Sequence, residues 1–432
     1  MKFPAIQELY SVFKKHPVIT TDSRKIPDGS VFFSLRGDSF DGNLFSGVAL
    51  IQGASYSVID NEDYYKGEKF ILVKDCLKTL QELAAHHRKQ LKVPLIAITG
   101  SNGKTTTKEL IKCILSKKYK TLATTGNLNN HIGVPLTLLS IRSEIEIAVI
   151  EMGANHIGEI KFLCEIARPD FGLITNIGKA HIGEFGSFEN IVKTKAELYD
   201  FIRGNRGKIF INSQNELLMA ESGGIEKISY GPSRIDFCRC QFESSDPFLK
   251  IKFENEIIIS RLAGKYNFEN AAAAICIGKY FGVESKKIKE AIEQYEPSNN
   301  RSQIIKTKSN TLILDAYNAN PSSMRAALEN FREMKGEHKW LILGDMLELG
   351  TYEIEEHKNI LRLISEMKIK NVILVGERFS KASSELNMDY RLFKTSEDLA
   401  VCLKSKSPIG TNNLILVKGS RGIKLEKATE FL

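Results

Sequence analysis

The chain has 432 residues, of which 42% are hydrophobic and 26% charged, with a formal net charge of +8. That length exceeds what a single hydrophobic core fills, so two or three globular domains are expected. No run approaches the roughly 20 apolar residues of a membrane span, no basic block with interleaved aromatics suggests nucleic-acid binding, and the N-terminus lacks an apolar signal core; the expectation is a cytoplasmic protein with no membrane insertion and no nucleic-acid partner.

Residues 1–92 read as short strands and turns, such as Val31-Phe-Phe-Ser-Leu35 before Arg36-Gly-Asp38, closed by a helical pattern from Leu77 to Leu91. Pro94 marks a boundary. From Leu95 the pattern alternates between strands (Leu95–Thr99, Ile145–Ile150, Phe171–Asn176, Lys208–Ile211) and helices (Thr106–Leu115, Ile157–Ala167, Glu189–Phe201), as a parallel α/β sheet does. A β-rich insert and a small-residue helix, Asn267–Phe281, follow. After Pro297-Ser-Asn-Asn-Arg301, strands Thr311–Leu314, Trp340–Leu343, Val372–Val375 and Leu414–Val417 keep the rhythm of a dinucleotide-fold-like sheet, without a G-x-G-x-x-G. The expected fold is therefore α/β in three domains: a small α/β domain at 1–92, a central P-loop ATPase-like parallel sheet at 93–300 and a Rossmann-like domain at 301–432. The seven cysteines are scattered and contain no C-x-x-C, so reduced thiols are expected rather than a zinc site or disulfides.

The most informative stretch is Val93-Pro-Leu-Ile-Ala-Ile-Thr-Gly100-Ser-Asn-Gly103-Lys104-Thr105-Thr106. A strand breaks into a glycine turn that opens a helix, so backbone N–H groups and the helix N-terminus converge on an anion. Lys104 would reach the outer phosphates and the Thr105 hydroxyl would sit on Mg²⁺. The usual spacing needs glycine at 98, where Ile98 stands, so the loop is a short form.

In open α/β sheets functional groups collect at the carboxyl ends of strands. Glu151 follows the strand ending at Ile150 and could hold Mg²⁺ opposite Thr105, because hard cations take oxygen ligands. Asn176 ends the next strand and His181 follows in a glycine-rich loop. Read singly, Glu151 is an ordinary loop acid, His181 an ordinary loop histidine and Lys195 a solvated lysine on a helix.

The loop and its partners resemble the Mur ligases of peptidoglycan synthesis. Thr125-Gly-Asn127-Leu-Asn-Asn130-His-Ile-Gly-Val-Pro135, Thr175-Asn-Ile-Gly-Lys-Ala-His181, Gly264-Lys-Tyr-Asn267-Phe-Glu-Asn270-Ala and Lys418-Gly-Ser-Arg421 all look like family segments. Asp315-Ala-Tyr-Asn318-Ala-Asn320-Pro and Leu343-Gly-Asp345-Met-Leu-Glu348-Leu-Gly350 resemble the member that takes a dipeptide, and Thr21-Asp-Ser23-Arg24 its UDP-sugar domain. Two positions depart: Asn43 and Tyr266 stand where histidine is frequent.

The resemblance implies an ATP-dependent ligase that joins D-alanyl-D-alanine to UDP-N-acetylmuramoyl-tripeptide through an acyl phosphate, working as a monomer. It implies ATP contacts from Gly100 to Thr106 and from Asn267, Asn270, Arg301 and Asp315. Thr105 and Glu151 would hold a first Mg²⁺. His181 and a carbamylated Lys195 would hold a second, with Lys104, His181 and Lys195 the catalytic set. Ser23, Arg24, Asn127, Asn130, Asn318, Asn320 and Asp345 would meet the peptide substrates. The alternatives are a sister ligase adding one amino acid and a catalytically silent nucleotide-binding scaffold.

Overall fold

Apolar strand runs and the turns behind them build three large sheets, beside a two-stranded ribbon of Arg36–Gly37 and Phe40–Asp41, in the computed structural model, which describes residues 3–298, 300–336 and 338–432. Asn299, in the Pro297–Arg301 junction, lies outside the described residues. In the N-terminal region, strands Ile19–Thr20, Val31–Phe33, Tyr56–Ile59 and Phe70–Leu72 pair in parallel in that order. The helix Cys76–Gln90 that follows starts where the Asp75 carboxylate accepts the Lys78 N–H, and it buries Leu80, Leu83 and Ala84. Its Arg88 donates to the Ala167 carbonyl at 2.8 Å and the Asp170 carboxylate at 2.9 Å, fastening this region to the base of the next sheet.

That second sheet has nine strands. Leu95–Thr99 lies between Ile147–Glu151 and Phe171–Ile174, all parallel, and every residue of the first two is buried. Two covered faces explain the unbroken apolar runs. Lys208–Asn212, Glu226–Gly231 and Cys238–Ser244 extend the sheet in parallel, and Lys250–Phe253 and Glu256–Ile259 turn antiparallel, so the β-rich insert is an extension of this sheet rather than a separate body. The seven cysteines are free thiols; Cys238 and Cys240 share one strand face, sulfurs 3.7 Å apart.

The third sheet has six strands in the order Gln303–Lys306, Thr311–Asp315, Leu414–Lys418, Lys339–Gly344, Asn371–Val375, Arg391–Phe393, parallel except for the first. Among the described residues no helix is long and apolar enough to cross a membrane.

Two end points bear on the site. The strand expected to stop at Ile150 includes Glu151, and the helix expected from Thr106 begins at Lys104. Glu151 is thus a buried last strand residue, 1% exposed, not a loop acid.

Candidate active site

The phosphate loop is fixed by the strand beside it. The Ser101 N–H donates to the Asn176 carbonyl at 2.9 Å, the Asn102 N–H to Asn176 Oδ1 at 3.0 Å, and Thr175 Oγ1 to the Asn102 carbonyl at 2.6 Å. Both loop glycines are required. Gly100 has φ +141° and a Cβ there would lie 2.0 Å from Thr175 Oγ1; Gly103 has φ +79° and a Cβ would lie 2.2 Å from Asn270 Oδ1. With Ser101 and Asn102 tied to Asn176, the anion-binding donors left are the first N–H groups of the helix Lys104–Leu115, which have no intrahelical partner. Lys104 Nζ folds back onto the Gly100 carbonyl at 2.6 Å, where a phosphate over the loop would meet it.

Below the loop, Thr105 Oγ1 donates to Glu151 Oε1 at 3.2 Å and Asn129 Nδ2 donates to the same oxygen at 2.8 Å. The other carboxylate oxygen, Oε2, is buried without a hydrogen bond among the described residues and faces Lys108 Nζ at 3.5 Å. Lys108 and Glu151 side chains are each 2% exposed. A buried hydroxyl next to a carboxylate oxygen with spare lone pairs is the donor set a small hard cation takes, with phosphate oxygens and water completing the shell. Among the described residues no group of three or more His, Cys, Asp or Glu is placed to hold a metal. The protein's share of such a site is therefore one hydroxyl and one carboxylate, which fits Mg²⁺ better than zinc.

Lys195 corrects the reading of a solvated lysine. It is 3% exposed, its Nζ lies 3.4 Å from the Ala154 carbonyl and 5.5 Å from the centre of the Phe185 ring. Burial, and then the Lys104 charge, push its amine down to about 7. Burial likewise lowers Lys104.

The third domain covers this floor. Asn320 caps the helix Pro321–Glu333, and its Nδ2 donates to Asn102 Oδ1 of the phosphate loop at 2.8 Å. Lys418 Nζ, buried, donates to Asp315 Oδ2 at 2.6 Å. The Arg301 guanidinium stacks 3.5 Å from the centre of the Tyr317 ring. Across the gap, Asn267 and Asn270 form a ladder: Asn270 Nδ2 donates to Asn267 Oδ1 at 2.9 Å and Thr107 Oγ1 to Asn270 Oδ1 at 3.1 Å. These amides shape the loop from behind as well as facing the cavity.

The resulting cavity is about 740 Å³. Ser101 to Thr106, Asn127, Asn130, Glu151, His181, Asn267, Asn270, Arg301, Asp315, Asn318 and Asn320 all line it. Gly100 lies behind the loop it bends, and Lys195 lies beyond the lining. Ser23 and Arg24 are not brought to this cavity; Arg24 is exposed and paired with Asp22 at 2.8 Å. Asp345 is not brought to it either. Its carboxylate is 2% exposed and accepts the N–H groups of Arg378 at 3.0 Å and Phe379 at 2.9 Å, anchoring the start of the helix Glu377–Glu385. Asp345 thus reaches sideways to the helix that follows the neighbouring strand Asn371–Val375, rather than toward the cleft.

Sequence reasoning did not single out Lys108, and it placed Asn129, Tyr317 and Lys418 in family-like segments without a role. Lys108 and Lys195 had a signal: each occupies a core position of an apolar helix stripe, with Ile111, Ile114 and Leu115 in one case and Ile191, Leu198, Tyr199 and Ile202 in the other. A lysine at such a position is buried, hence paired or functional.

A short glycine loop at the carboxyl rim of a parallel sheet, a buried Thr–Glu pair beneath it and a third domain closing above define a multidomain nucleotide-binding α/β protein. Family models of the Mur ligase catalytic domain, middle domain and glutamate ligase domain match residues 17–88, 98–278 and 300–421. The UDP-N-acetylmuramoyl-tripeptide–D-alanyl-D-alanine ligase of Bacillus subtilis is 36% identical over 427 residues, covering 96% of this chain and 92% of that protein. The enzyme of the same name from Treponema pallidum is 31% identical, covering 96% and 93%. A crystal structure of MurF from Acinetobacter baumannii superposes with a TM-score of 0.85 at 29% identity, covering 100% and 98%. The chain belongs to the Mur ligase family.

Proposed function

We propose that this chain joins D-alanyl-D-alanine to UDP-N-acetylmuramoyl-tripeptide at the expense of ATP, in cytoplasmic synthesis of a peptidoglycan precursor. The observation that carries the reading is the convergence, in one cavity, of Lys104 and the buried Thr105–Glu151 pair with Arg301 and Asn318 of a third domain. The relatives bearing that enzyme's name match nearly the whole chain.

A carboxylate is a poor electrophile and must be activated. The tripeptide carboxylate attacks the terminal phosphorus of ATP, the bond to the bridging oxygen breaks and ADP leaves. The dipeptide amine then attacks the acyl phosphate, an amide forms, and phosphate departs with the amine's proton lost to solvent or base. The reactants repel each other as anions. The helix N–H groups after Gly103, Lys104 and Arg301 supply positive charge from both sides of the transferring group. Mg²⁺ would add charge neutralisation at the phosphates when bound. Thr105 and Glu151 would hold one ion, and His181 with Lys195 a second. An amine near pH 7 is partly neutral, so Lys195 can add to CO₂, forming an N–C bond and releasing one proton; the carbamate would then supply an anion. Asn318 and Asn320 would meet the dipeptide and Asn127 and Asn130 the tripeptide. Ser23 and Arg24 would meet the UDP end outside this cavity.

Lysine and glutamate side chains buried together are costly to keep without a use, which disfavours a silent scaffold. The test is mass spectrometry of the product formed from UDP-N-acetylmuramoyl-tripeptide, ATP, Mg²⁺ and D-alanyl-D-alanine. The reading expects the pentapeptide product. A product extended by one residue from a single amino acid would support a sister ligase instead.

A further inference from the structure

His181 is reached from two domains. It opens the short helix Ile182–Phe185 in a left-handed conformation, φ 53°. Its Nδ1 lies 2.8 Å from Glu348 Oε2, an ion-pair distance at which the ring N–H is not yet in line for a hydrogen bond; Glu348 belongs to the third domain and is itself left-handed, φ 65°. A left-handed backbone strains any residue that carries a Cβ, so two such positions meeting face to face need a reason. Stability does not supply it: the side chains are 23% and 47% exposed, and exposed pairs contribute little.

The surrounding contacts supply the reason. Two residues beyond each partner, the backbones of Gly183 and Gly350 touch: a Cβ on Gly183 would lie 2.5 Å from the Gly350 nitrogen, and one on Gly350 would lie 2.9 Å from Gly183 Cα. On one flank Lys179 Nζ pairs with Glu356 at 2.9 Å; on the other the Tyr352 hydroxyl donates to the Gly186 carbonyl at 3.4 Å. The loop 179–186 is thus clasped by 348–356 at a closeness that only glycines permit, and the clasp brings Glu348 to the histidine. The other carboxylate near Nδ1, Glu184 on the histidine's own helix, is farther, at 3.8 Å.

We propose that Glu348 is a positioning residue: with the ring turned into line its carboxylate accepts the His181 Nδ1–H, leaving the Nε2 lone pair for the cavity, and it does so only when the third domain closes. Closure of that domain and orientation of the histidine are then one event. A carboxylate behind an imidazole fixes its tautomer and ring angle, and removing such a partner costs about 10–100-fold in activity. The inference rests on the ligase reading above for its kinetic arm, but not for its spectroscopic one.

The test uses the full chain, labelled with ¹⁵N-histidine, in wild type and in Glu348→Ala, Glu348→Gln, Glu184→Gln and Gly350→Ala. His181→Gln assigns the resonance. In metal-free protein the His181 signal should show the Nδ1–H tautomer in wild type and Glu184→Gln and lose it in Glu348→Ala. Gly350→Ala should lose it too, although Glu348 is intact, because the added methyl blocks the approach. In steady-state assays kcat should fall about 10–100-fold in Glu348→Ala and Gly350→Ala with KM for ATP within about threefold. Glu348→Gln, whose amide oxygen accepts the same hydrogen bond, should recover most of that loss. An unchanged His181 signal in Glu348→Ala overturns the contact. An unchanged signal and kcat in Gly350→Ala overturns the link to closure. A wild-type chain that makes no product fails the ligase reading, and the spectra still decide the role of Glu348.

Discussion

Replacing Lys108 by methionine should destabilise the central domain strongly while leaving its apolar packing in place. Lys108 and Glu151 are each 2% exposed, 3.5 Å apart. Glu151 Oε1 keeps two neutral donors, Thr105 and Asn129, when the ammonium is removed. Oε2 keeps none among the described residues. Removing one partner of a buried ion pair costs about 3–5 kcal/mol, because the other charge is stranded. With one oxygen still hydrogen-bonded, the lower end, about 3 kcal/mol, is expected. At about 2–4 °C per kcal/mol for a domain of this size, the melting transition should fall by roughly 6–12 °C. Differential scanning calorimetry of Lys108→Met, Glu151→Gln and the double variant gives the coupling. The double variant should regain most of the loss, since both charges are gone. Added Mg²⁺ with ADP should restore part of the stability of Lys108→Met, because the cation replaces the ammonium opposite Glu151. A Lys108→Met shift below about 2 °C, or a double variant no more stable than the single one, would refute the reasoning.

Lys104→Ala and Lys195→Ala should each lower turnover by orders of magnitude with the fold intact, checked by kcat and circular dichroism; near-normal activity of Lys195→Ala would remove the carbamate. Because the Lys195 amine is held at about 7 when folded and the ordinary lysine value is about 10.5, the unfolded chain binds the extra proton between those values. The stability of wild type relative to Lys195→Met should therefore be lowest below pH 7 and rise as pH increases toward 10, read by urea titration at each pH. Gly103→Ala should weaken nucleotide binding at least about tenfold by calorimetry, since its methyl has no room beside Asn270. Asp345→Asn should lower the melting temperature, through the lost helix anchor, without raising KM for the dipeptide.

What the sequence made legible follows its periodicities. Leu95–Thr99, buried on both faces, was readable to the residue as an apolar run, and the strand-end rule led to Glu151 and His181. The same rule misled at Asp345, because a carboxylate at a strand end serves equally well to anchor the helix that follows the neighbouring strand, and only the fold decides which. Lys195 looked solvated because a lone lysine is usually so; its place on the stripe with Ile191 and Leu198 carried the contrary information. Asn129 and Glu348 stand in segments that pattern picked out, but their roles could not be read there, since each acts through a partner, Glu151 or His181, that folding alone brings near.

The most direct test of the whole account is phosphate release by the purified chain with ATP, Mg²⁺ and UDP-N-acetylmuramoyl-tripeptide, measured with D-alanyl-D-alanine and, separately, with single amino acids. The account predicts one phosphate per amide formed, with the dipeptide only. Turnover without the dipeptide, or equal turnover with a single amino acid, would contradict it.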